Sequence, residues 1–178
     1  MKSGDRAVIA LFVGVLFALV PTALAVAGGA GGVGFTGQYF DSTLSTADRG
    51  MTSLTGFGYG VGDSGSRVGG FGTAFFSAPG DTAGGVGGML VGHEWRTGPL
   101  VAALTLWGGV GGGAWGGNGC MLAYGAAQAE LGVWILPWMQ LTGFVGYEAM
   151  SSVLPGIPFG RALLRTPVLG LRIAWGGL

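Results

Sequence analysis

Glycine or another small residue alternates with a bulky apolar one in eight separate stretches of this chain, and Thr55-Gly56-Phe57-Gly58-Tyr59-Gly60-Val61 shows the pattern most plainly. A period of two places successive side chains on opposite faces of an extended strand. Each stretch therefore presents one bulky face and one nearly bare face, and the bulky face must be covered by something apolar. The stretches read as strands over residues 31–40, 52–62, 67–77, 83–95, 98–110, 120–135, 138–150 and 166–177. Each is near the ~10 residues that a tilted strand needs to cross a bilayer. The connectors 41–51, 111–119 and 151–165 are long, whereas 63–66, 96–97 and 136–137 are short; 78–82, with Pro79-Gly80-Asp81, is intermediate.

What could cover the bulky faces follows from the start of the chain and its charge. Residues 1–25 read as a secretory signal: Lys2 and Arg6 form a basic start, 7–20 are apolar, and Pro21 precedes the small-x-small site Ala23-Leu24-Ala25. Cleavage is expected after Ala25 or Ala27, leaving residues 26–178 as one domain. Only 9% of the chain is charged, 49% is hydrophobic, and 41 of 178 residues are glycine. A water-exposed surface is normally about a quarter to a third charged. Membrane lipid is therefore the expected partner of the bulky faces, and the fold class expected is an all-β, eight-stranded, antiparallel, up-and-down transmembrane barrel.

Several functions are excluded by what is missing. Beyond the leader, six arginines face seven carboxylates, a net charge of −1, so no basic surface exists to displace counterions from nucleic acid. One histidine and one cysteine supply too few ligands for a structural zinc site, and neither a metal nor another cofactor is expected. His93-Glu94-Trp95 resembles part of a catalytic set, but adjacent strand residues point to opposite faces. Gly62-Asp63-Ser64-Gly65-Ser66 has the composition of a hairpin turn. Gly29-Ala30-Gly31-Gly32-Val33-Gly34 matches a dinucleotide fingerprint without the helix and ribose-binding acid that give it meaning. No catalytic residue is assigned, and a non-enzymatic protein is expected.

Charged residues inside strands fix which face points inward, because an arginine on the lipid face near mid-membrane costs roughly 2–4 kcal/mol. Glu94, Glu130, Glu148 and Arg172 are accordingly assigned to the interior as a charge network, with Gln128, Gln140 and Thr142 as polar neighbours. Arg172 is expected to pair with Glu130 or, across the bore, with Glu94. Three carboxylates against one arginine imply that one glutamate is solvated, and Glu148 is the expected one. On the early strands Phe57, Tyr59 and Val61, then Phe71, Thr73 and Phe75, are expected to face out, leaving Gly56, Gly58, Gly60, Gly70 and Gly72 as an open inner wall. In the connector 151–165, Ile157, Phe159, Arg161 and Arg165 are the candidates for contact with lipid or with an extracellular or envelope protein.

Leader, alternating segments and connector asymmetry together resemble the small eight-stranded outer-membrane barrels of the OmpA transmembrane-domain and OmpX type. The resemblance spans nearly all of the chain beyond the leader and is one of pattern. It implies a location in the bacterial outer membrane, an amino terminus on the periplasmic side, and ion pairs inside the bore. That group typically ends its last strand on an aromatic residue, whereas this chain ends Trp175-Gly176-Gly177-Leu178. The function expected is structural or adhesive, with the bore closed or nearly so by glutamate and arginine. The alternatives are a narrow pore or a barrel binding a small apolar ligand or lipid, a multi-pass helical membrane protein, and a secreted glycine-rich fibre subunit.

Overall fold

A computed structural model describes residues 28–39, 50–77, 82–115, 118–152 and 164–177. The leader and its cleavage site lie outside the described residues, as do Ile157, Phe159 and Arg161. Eight antiparallel strands close into one barrel in chain order. They are β1 (Gly29–Tyr39), β2 (Gly50–Val61), β3 (Ser66–Ser77), β4 (Thr82–Thr97), β5 (Leu100–Trp115), β6 (Asn118–Leu136), β7 (Met139–Ser152) and β8 (Leu164–Gly176). The described residues contain no helix long and apolar enough to cross a membrane. The uncharged segment that a helical reading relies on, from Pro99 onward, forms β5 and the first part of β6. Closure of β1 on β8 also removes the flat, open-edged sheet that a fibre subunit would need.

The register makes the strands steeply tilted. Hydrogen-bonded partners lead from Gly32 through Phe57, Phe71, Gly88, Gly109, Tyr124 and Met150 to Leu164. Gly32 is itself paired with Ala174, ten residues along β8 from Leu164. A stagger of this kind is what lets eight strands close around an interior just wide enough for side chains.

The hairpin turns follow from local chemistry. Between β2 and β3, Gly65 takes a φ of +86°, and Gly62 N–H donates to the Ser66 carbonyl at 2.8 Å. Between β4 and β5, Gly98 supplies a φ of +58°. Both conformations disfavour a side chain, so glycine is the residue that closes them. Between β6 and β7 the ladder shifts register across Trp134 and Leu136, next to Pro137.

Two expectations about the strands are corrected. The glycine-rich residues 111–115 are not a loop: they extend β5 and pair with β6 from Asn118 to Leu122, so only 116–117 connect the two strands. Glycine lacks the side chain that favours a strand, but here both neighbouring strands supply a full ladder, which outweighs the weak local preference. Arg165 likewise belongs to β8, opposite Ala149.

The second correction concerns β2 and β3, whose faces are reversed. Phe57, Phe71, Thr73 and Phe75 are buried in the interior, with Tyr59 packed against them. Gly58, Gly60 and Gly70 face out, where an added Cβ at Gly58 or Gly60 would meet nothing within 4 Å. The inner wall on this side is therefore aromatic, and the bare face is external.

Candidate functional site

The interior is built in two layers. Toward the connectors 40–49 and 153–163 apolar side chains predominate, with Met51, Phe75, Val86, Leu122 and Met150 in one cluster beside the buried Thr36, Ser53 and Thr166. Toward the short turns it is charged. Alternation along each strand brings one or two polar side chains inward there: Arg67 from β3, Glu94 and Arg96 from β4, Thr105 from β5, Gln128 and Glu130 from β6, Gln140 and Thr142 from β7, and Arg172 from β8. All but Arg96 are buried.

Glu130 is the hub. Its two carboxylate oxygens accept separately from Arg67 Nη1 at 2.8 Å and Arg172 Nη1 at 2.7 Å, and Thr105 Oγ1 donates to it at 2.7 Å. Arg67 uses its Nε for Glu94, at 2.5 Å. Glu94 in turn accepts from Arg96, whose side chain reaches the rim and is 30% exposed. At the other end Arg172 Nη2 donates to the Gln128 carbonyl, and the Gln128 amide donates to Glu148 at 3.4 Å. Tyr124 hydrogen-bonds Glu148 from the apolar layer. A continuous chain of polar contacts thus runs from Arg96 at one rim to Glu148 beneath the apolar cluster.

Aromatic faces surround the two central guanidinium groups. Arg172 Cζ lies 3.9 Å from the Phe144 ring centroid and 4.5 Å from that of Trp107, and Arg67 Cζ lies 4.4 Å from Tyr59. Planar guanidinium suits this environment, since it can stack on rings while its edge hydrogen-bonds carboxylates. Gly34 makes the arrangement possible on β1: a Cβ there would come within 2.8 Å of Arg172 Cγ. Two buried donors, Arg172 Nε and Trp134 Nε1, have no hydrogen-bond partner among the described residues.

The four charged residues assigned to the interior from sequence all lie there, and so do Gln128, Gln140 and Thr142. Two of the relationships inferred among them differ. Glu94 pairs with Arg67 and Arg96, not with Arg172. Glu148 is 4% exposed and engages Gln128 and Tyr124, so it is not the solvated glutamate. The imbalance that suggested solvation does not exist: three inward arginines, Arg67, Arg96 and Arg172, match three inward glutamates among the described residues. Sequence reasoning missed Arg67 because it stands at the first residue of a strand beside a turn, where a charge carries no cost. Its parity was nonetheless the available signal, since setting Arg67 inward sends Phe71, Thr73 and Phe75 inward with it.

Little free space remains within the charge network. The cavity among Phe57, Tyr59, Thr105, Trp107, Glu130 and Arg172 is ≈ 10 Å³, about the volume that one water centre requires. No group of His, Cys, Asp and Glu among the described residues is arranged to hold a metal ion. His93 and Glu94 point to opposite sides of β4, His93 outward against Trp95 at 4.7 Å between ring centroids. What this interior does chemically is neutralise charge against charge and fill the bore. No protein-family model and no curated protein matches the sequence.

Proposed function

We propose that this chain is a small, non-enzymatic outer-membrane barrel of a bacterial envelope, exported by the leader 1–25, with a structural or adhesive role and a bore sealed by its own side chains. One observation carries the reading: the polarity of the barrel is inverted relative to a protein in water. Large apolar side chains stand exposed all around the wall, among them Phe35, Val68, Met89, Leu106, Leu131, Val145 and Leu171. No aspartate, glutamate, lysine or arginine projects outward from a strand among the described side chains, while six charged groups converge inside. An apolar surface of this extent calls for an apolar surrounding, and the sequence alternation found here, apolar outside and polar inside, is that of transmembrane barrels.

The packing at the level of the charge network speaks against the pore alternative, because a channel needs a continuous water path and the cavity there is ≈ 10 Å³. The test is membrane fractionation of the expressed chain followed by gel electrophoresis with and without heating. The expected result is extraction by detergent only, and an unheated band of faster mobility than the heated one. Recovery in the soluble fraction, or mobility independent of heating, overturns the proposal.

A further inference from the structure

Among the described residues the outer wall is mainly apolar, and one place on it gathers several polar side chains. His93 projects outward from β4, and its cross-strand partner on β3 is Ser66. Ser64 Oγ donates to Ser66 Oγ at 3.4 Å, bringing a second hydroxyl to the same place. Trp95, the next outward residue on β4, has its ring 4.7 Å from the imidazole at a tilt of 60° and adds an exposed indole. The imidazole lies over the β2–β3 turn, where a Cβ at position 65 would meet first the Glu94 carbonyl oxygen and then His93 Cε1 and Nε2 at 3.3 Å. Directly above this group the wall is hydrocarbon-like again, with Val68, Met89 and Val91 exposed. On β5 the neighbour of His93 is Leu104, and the turn between β2 and β3 carries one carboxylate, Asp63.

A polar cluster has no partners if it faces hydrocarbon, and leaving such groups unsatisfied costs several kcal/mol. Its level therefore has to coincide with the polar boundary of the bilayer, where Trp138 and Trp175, at the same end of the barrel, also stand. From this, and resting on the membrane reading above, we infer that His93, Ser66 and Ser64 form a docking site for the phosphate of a phospholipid whose acyl chains run along Val68, Met89 and Val91. The chemistry is complementary: the imidazole and the Ser66 hydroxyl, itself supported by Ser64, supply donors to an anionic oxygen, and the adjoining wall supplies the apolar track for the chains. No other part of the described strand wall joins hydroxyl and imidazole donors to an apolar track.

Native mass spectrometry of the detergent-extracted barrel tests this with two added lipids, phosphatidylglycerol and diacylglycerol of the same chains. The variant H93L/S66A removes the donors while keeping the wall apolar. Its phosphatidylglycerol retention should fall roughly tenfold, the loss of about one charge-assisted hydrogen bond, while diacylglycerol retention stays unchanged. Equal phosphatidylglycerol retention in both proteins overturns the site, as does an equal drop with both lipids, which would mean that only wall contact was altered. Heat-modifiable mobility of wild type and variant, recorded on the same samples, separates this from the membrane reading: losing mobility in the wild type sinks that reading and this site together, and keeping it while retention is equal sinks the site alone.

Discussion

Arg67 and Arg172, three strands apart around the barrel, are tied through opposite oxygens of a single carboxylate, Glu130. The pair is not equivalent in what it has left over. Arg67 also holds Glu94, whereas Arg172 has no second salt bridge among the described residues and relies on Gln128 and on the rings of Phe144 and Trp107.

That asymmetry predicts an order of effects. E130A strands Arg172 as a buried charge without a carboxylate and should lower stability by about 3–5 kcal/mol. E94A should cost less, because Arg67 keeps Glu130 and Arg96 turns to water at the rim. Urea unfolding of both variants refolded into vesicles measures the order; equal losses would mean that Glu130 is not the hub.

Gly34 offers a cleaner probe of how tightly Arg172 is seated. The three atoms nearest to a Cβ at position 34 all belong to the Arg172 side chain, the closest being Cγ at 2.8 Å. G34A should therefore cost about 1–3 kcal/mol by overpacking. In an R172A background the same substitution should cost less than about 0.5 kcal/mol, the limit expected when two sites no longer interact. A double-mutant cycle by urea unfolding reads the difference directly, and a cost unchanged by R172A would place the strain elsewhere.

The barrel itself was legible because alternation and turn residues are local signals, and because Glu94, Glu130, Glu148 and Arg172 each fixed the parity of the strand that carried them. β2 carries no charge, and its phenylalanine and tyrosine side chains suit a lipid-facing or a ring-lined position equally, so period-two reasoning alone could not choose a face. The choice is made by partners distant in sequence: Tyr59 packs under the Arg67 guanidinium, and Phe71 meets Trp107 edge-on with ring centroids 5.0 Å apart. Glycine misled in the same way at 111–115, where its loop-forming tendency is overridden by neighbours on both sides. The hub at Glu130 was only half visible, since it needs Arg67, and a charge beside a turn gives no sign of where its side chain goes.

The inverted polarity of the wall makes a depth-dependent prediction. Leu171 and Leu100 are almost equally exposed, at 61% and 59%, but Leu171 sits midway along β8 and Leu100 adjoins the Gly98 turn. If lipid surrounds the wall, L171R should cost roughly 2–4 kcal/mol and L100R about 0–1 kcal/mol. The same two variants in a water-soluble barrel would differ little. Unfolding in vesicles decides, and a pair of equal, small effects would count against the membrane reading.

Conductance in planar bilayers tests the seal, and the two-layer interior gives a specific expectation for R172A. Removing that side chain opens space among Phe57, Trp107 and Phe144, yet Met51, Phe75, Leu122 and Met150 still close the bore above it. These apolar side chains narrow the bore without any ion pair. Wild type and R172A should therefore both stay at background, and current should appear only when R172A is combined with F75A and L122A, which thin the second layer. A step in conductance with R172A alone would show that the arginine is itself the barrier, and that the apolar side chains above it leave a path they are expected to block.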